Sequence, residues 1–107
     1  MYRKIEIDGR EIEFAANAAT PFRYKQVFGK DLFAILGNEE KAETEGVEAV
    51  TELAYIMAKQ GEKADMGKLN YEEFINWLEN FSAMTFIENA EQIINVYMES
   101  AKTTATP

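Results

Sequence analysis

The chain has 107 residues, 47% apolar and 28% charged, with no cysteine and no histidine. That composition suits one globular domain, large enough to bury a core without disulfide or metal staples. The formal charge of −8 repels phosphate backbones and sets nucleic acid aside, and the missing histidines remove the commonest general base and transition-metal ligand together.

No apolar run approaches the ~18 residues of a membrane span. The start, Met1-Tyr2-Arg3-Lys4, leads into alternating residues rather than an apolar signal-peptide core. A soluble, cytoplasmic protein with no membrane partner is the expectation, and the absence of cysteine fits a reducing compartment.

The first predicted element is a β-hairpin over residues 2–15, where Ile5, Ile7, Ile12 and Phe14 alternate with Lys4, Glu6, Glu11 and Glu13. Asp8-Gly9 between the two runs is a strong type I′ turn signal. That turn sets Ile7 opposite Arg10, Ile5 opposite Ile12 and Arg3 opposite Phe14, so the four apolar side chains share one face. A lone hairpin is marginal in water and needs a helical cover.

Thr20-Pro21 reads as a helix start, a hydroxyl cap followed by a residue whose missing N–H costs nothing. Gly29 ends or kinks that helix, Asp31 begins a second piece through Leu36, and Gly37-Asn38 stops it. Residues 38–46, "NEEKAETEG", lack large apolar groups and read as a solvated linker. Val47, Val50, Leu53, Ala54, Met57 and Ala58 then form a helical stripe ending at Lys59-Gln60-Gly61. Asn70 with Glu73 opens the next helix, whose apolar face is Phe74, Trp77, Leu78 and Phe81. Thr85 with Glu88 forms another capping box and opens a last helix carrying Phe86, Ile87, Ala90, Ile93, Ile94, Tyr97 and Met98. The sum is an α+β domain over residues 1–102, mainly helical: a hairpin over 2–15, about four helical segments over 20–101, and a flexible tail over 103–107.

"GEKADMGKLNYEEF", residues 61–74, has the outline of a calcium loop. With Gly67 at loop position 6, Leu69 and Glu73 fall at positions 8 and 12 as an EF-hand requires. Positions 3 and 5 are Ala64 and Met66, where side-chain oxygens are needed, so an ordinary helix–turn–helix junction is the better reading. Glu48 and Glu52, four apart on one helix, read as a solvated face rather than a metal or proton-sharing pair. Ser82 and Ser100 lack a base and a nucleophile-elbow setting, and there is no phosphate-binding glycine motif. No catalytic residue, cofactor or metal site is therefore expected. What stands out is the aromatic content, 12%. Burial is the commoner fate of such residues, but Tyr24, Phe28, Phe33, Tyr55, Trp77 and Phe81 are the candidates for a partner-binding surface of the helix-in-groove type.

"EIDGREIEFAANA", "ATPFRYKQVFGKDLFAIL", "ELAYIMAKQ" and "EEFINWLENF" together resemble, in order and over almost the whole chain, the tail assembly chaperones of long-tailed bacteriophages and prophages, particularly those of Gram-positive hosts. The carriers are the D-G hairpin turn, the aromatic helix with Phe28-Gly29-Lys30-Asp31, the Leu53–Lys59 helix, the acidic Glu72–Trp77 helix and a last apolar helix with a polar tail. The loop at residues 60–70 departs from the family pattern in lacking a proline. The resemblance implies a non-enzymatic factor of the bacterial host cytoplasm, absent from the finished virion. It would bind and solubilise the tape measure protein and assist tail tube polymerisation. Partners so implied are the tape measure protein first, then the tail tube protein; self-association is open. It also implies that this chain is the short product of a programmed frameshift. The alternative is a small acidic interaction or adaptor module of unrelated purpose.

Overall fold

Asp8 and Gly9 both take positive φ, 54° and 79°, the geometry of a type I′ turn. The computed structural model describes residues 2–101; the expected tail over 103–107 lies outside them. Strands β1 (Tyr2–Ile7) and β2 (Arg10–Ala15) pair in the predicted register, Ile7 with Arg10, Ile5 with Ile12 and Arg3 with Phe14. Ile7 and Phe14 are fully buried, while Ile5 and Ile12 are half-buried at the edge of the same core. The turn is anchored as well: the Asp8 carboxylate accepts the Ser82 N–H at 3.0 Å and its hydroxyl at 3.1 Å.

Six α-helices follow among the described residues: α1 (Thr20–Phe28), α2 (Leu32–Leu36), α3 (Glu39–Gly61), α4 (Tyr71–Leu78), α5 (Thr85–Glu88) and α6 (Ala90–Ala101). The α+β, mainly helical class is as the sequence predicts. Helix α3 is the axis; β2, α1, α2, α4, α5 and α6 all pack on it. Nearly every residue from Ala49 to Ala58 is buried, Glu52 included.

Several local expectations change. Residues 39–46 are not a linker but the first two turns of α3. The Asn38 side chain accepts the Lys41 N–H at 3.0 Å, and Glu39 and Glu40 sit where negative charge complements the helix dipole. Glutamate, alanine and lysine are strong helix formers, so helix propensity carries these turns with almost no burial. Thr20 starts α1 but does not cap it. Its buried hydroxyl accepts the Asn17 N–H and donates to Gln60 Oε1 at 2.8 Å, tying the start of α1 to the end of α3. The predicted last helix is broken at Asn89, whose Nδ2 donates to the Thr85 carbonyl while its own carbonyl accepts the Ile93 N–H. Thr85 lies inside α5, buried, its hydroxyl 2.8 Å from that of Ser82, and does not cap.

Helix α3 ends at Gly61 as predicted, and the positive φ that follows falls on Lys63, at 58°. Gly61 is needed because β2 crosses there: a Cβ would lie 1.9 Å from the Glu13 carbonyl oxygen. Elsewhere the predicted caps hold. Gly29 is left-handed at φ 69°, and the side chains of Asp31 and Asn70 accept the first N–H groups of α2 and α4.

Candidate functional site

The six candidate aromatics separate by depth. Tyr24 and Tyr55 are completely buried, so neither can meet a partner, and that part of the expectation is corrected. Tyr24 donates to Glu52 Oε1 at 2.5 Å. Lys30 reaches Glu52 at 3.2 Å and the exposed Glu48 at 2.7 Å. The carboxylate at position 52 is thus no solvated face residue but the centre of a buried network, held by one hydroxyl and one cation. Burial first, and the adjoining Glu52 carboxylate second, raise the Tyr24 pKa. Burial acts to lower that of Lys30, but its bonds to Glu48 and Glu52 raise it on balance. Tyr55, whose buried hydroxyl has no partner, is pushed up to about 12 by burial, with Glu73 and Glu62 adding to it.

Phe28, Trp77 and Phe81 are half-buried and belong to an aromatic chain running through the core. Phe28 meets Phe74 at 5.0 Å between centroids, Tyr55 meets Trp77 at 5.5 Å, and Trp77 meets Phe81 at 4.9 Å and Phe86 at 5.3 Å. Edge-to-face and tilted stacks of this kind are packing features. Of the six, Phe33 alone is well exposed, at 60%.

Phe33 stands at the centre of an apolar surface. On one side, Phe33, Leu36 and Gly37 of the α2 region face Ile94, Tyr97 and Met98 of α6 across a groove of about 370 Å³. On the other, Phe33 and Tyr97 share a second depression of about 380 Å³ with Pro21, Phe22 and Ser100. Phe22 is 74% exposed and Met98 50%. The two depressions join through Phe33 and Tyr97, and neither is lined by a charged residue. The Ser100 hydroxyl donates to the Tyr97 carbonyl at 2.6 Å. The surface therefore offers apolar contact and asks for few hydrogen bonds, the character of a helix-binding groove.

Phe22, Leu36, Ile94 and Met98 are not among the sequence candidates, though a signal for them exists. On α1 the buried face is that of Tyr24, with Val27 and Phe28 beside it; Phe22 falls about 160° away. On α6 the buried residues are Ile93, Val96 and Tyr97, and Ile94 and Met98 lie about 100° to 140° round from Ile93. Phe22 and Met98 are large apolar residues exposed outside the arc the core needs, while Leu36 and Ile94 pack partly against the core and border the groove.

The 61–74 junction holds a short 3₁₀ turn at Met66–Lys68, where the Asp65 side chain accepts the Gly67 N–H at 3.1 Å. Among the described residues, no group of three or more Asp, Glu, His or Cys side chains is placed to hold a metal ion. Among the same residues, no helix is long and apolar enough to cross a membrane. No protein-family model matches the chain, and no curated protein or solved structure matches it.

Proposed function

We propose that the protein is a non-enzymatic tail assembly chaperone of a long-tailed bacteriophage or prophage, acting in the host cytoplasm. It binds apolar helical segments of the tape measure protein and keeps them soluble while the tail tube assembles. The reading is supported by the ordered succession of motifs along the chain. The structural observation that carries it is the uncharged apolar surface of Phe22, Phe33 and Met98, exposed over the buried Tyr97, on a domain of net charge −8. A groove of this kind accepts the apolar stripe of a helix, and the surrounding negative charge keeps the loaded complex dispersed.

The test is co-expression with the tape measure protein of the same tail gene cluster, scored by soluble yield and co-purification. Wild-type protein should hold the tape measure protein in solution. Joint substitution Phe33→Glu and Met98→Glu should abolish this while leaving the chaperone's unfolding midpoint near that of the wild type. Equal solubilisation by the double variant, or none by the wild type, counts against the proposal.

A further inference from the structure

A second apolar groove, sharing no residue with the first, opens beside α3. Val47 and Thr51 form one wall, and Leu78, Phe81, Phe86 and Ile87 the floor and opposite side, around a volume of about 270 Å³. Val47 is 49% and Ile87 48% exposed. The polar groups of this region are already engaged. The Thr51 hydroxyl donates to the Val47 carbonyl at 2.7 Å, and the N–H and hydroxyl of Ser82 are held by Asp8. Such a space is small for a metabolite and suits a few aliphatic side chains.

The charge around it is mainly negative, Arg10 excepted. Among the described residues, helix α3 runs on past Val47 towards its N-terminus for two turns that are mostly exposed. Helical periodicity places Glu43 and Glu40 on the same face as Val47 and Thr51. Lys41, the single cation of residues 39–46, falls about 120° round from Val47. Glu88 follows Ile87 and Glu79 follows Leu78, both exposed. The Arg10 guanidinium lies against the Phe81 ring at 5.4 Å. An apolar slot continued by an acidic helical rail is complementary to a helix with a short aliphatic stripe and basic residues one and two turns further on.

We infer that this groove and the exposed first turns of α3 form a second docking surface, whose occupant is a basic amphipathic helix of a partner protein. The surface is independent of the Phe33 groove, so the domain can hold an apolar segment and a basic one together.

Two helical peptides without tryptophan, with the same leucine stripe but lysine or glutamate at every flanking position, provide the probe. Binding is read from Trp77, the chain's single tryptophan, whose ring stacks on Phe81 and Phe86 in the groove floor. The lysine peptide should bind saturably and weaken with added salt, and the glutamate peptide should not bind. Ile87→Glu should weaken the lysine peptide at least about tenfold although it adds negative charge. Joint Glu40→Lys and Glu43→Lys, at exposed positions and with helicity checked by circular dichroism, should lose the lysine peptide and admit the glutamate one. Phe33→Glu should change neither. Absence of lysine-peptide binding to the wild type overturns the inference. So does undiminished binding to the Ile87 variant, which would mean diffuse charge attraction, or a loss of binding caused by Phe33→Glu.

Discussion

Replacing Gly61 with alanine should loosen the hairpin from α3. The new Cβ would lie 1.9 Å from the Glu13 carbonyl oxygen and 2.7 Å from its carbon, where ordinary contact begins at 3.4 Å. Both neighbours are backbone atoms, so no rotamer change relieves the clash, and β2 must retreat by roughly 1.5 Å in a close-packed interior. That retreat disturbs Phe14, fully buried and adjacent to Glu13 in β2. Overpacking of this kind costs about 1–3 kcal/mol. Alanine's better helix propensity returns at most about 1 kcal/mol. Gly61 is the last residue of α3, where that interior value is only partly realised, so the net loss is about 1–2 kcal/mol, or roughly 5–15 °C in midpoint for a domain of this size. Gly46 on the same helix is the control: a Cβ there meets nothing within 4 Å, so Gly46→Ala should gain about 0.5–1 kcal/mol. Thermal and urea unfolding, followed by circular dichroism and Trp77 fluorescence, measure both. A Gly61→Ala variant as stable as the wild type, or more so, would refute the claim that strand approach fixes this glycine.

Four further outcomes follow from other side chains. Lys30→Met leaves the Glu52 carboxylate, 1% exposed, without its cation; since Lys30 is itself one-third exposed, the loss should fall below the usual range of about 3–5 kcal/mol, at about 2–3 kcal/mol. Adding Glu52→Gln should recover part of it in urea titrations, and no recovery would show that charge is not the issue. Stability should fall as pH rises from about 10 towards 12. Tyr24 and Tyr55 have raised pKa values, as does Lys30, so the folded state keeps protons that the unfolded chain has begun to release. A flat urea midpoint across that window contradicts this. Trp77→Ala should cost about 3 kcal/mol through lost packing against Tyr55, Phe81 and Phe86. Phe33→Glu should stay within about 0.5 kcal/mol of the wild type, and the two midpoints in one denaturant series decide it.

The hairpin was fully legible because Asp8-Gly9 admits one turn type and a one-residue slip would have turned Ile7 and Phe14 outward. Helix stops at Gly29 and Gly37 and starts at Asp31 and Asn70 were legible because the capping chemistry is local. The solvent-exposed start of α3 was not, since an absence of apolar residues looks the same in a linker and in an unpacked helix; only Asn38 and the helix-forming glutamates distinguish them. The role of Gly61 was also hidden, because it depends on β2, nearly fifty residues earlier in the chain. Residue type alone cannot tell Tyr24 and Tyr55 in the core from Phe33 on the surface. Counting apolar residues outside each helix's core-facing arc would have pointed to Phe22 and Met98. Glu52, read from spacing as solvated, owes its burial to Tyr24 and Lys30 on the preceding segment.

Hydrogen exchange on the purified protein, alone and mixed with a segment of the proposed tape measure partner, tests the central claim most directly. Binding in the Phe33 groove should slow exchange in α2 and in the second half of α6, around Ile94 to Ser100, and leave the hairpin turn at Asp8 and Gly9 unchanged. Protection that spares α2 and α6, or a segment that yields no protection at all, would contradict it.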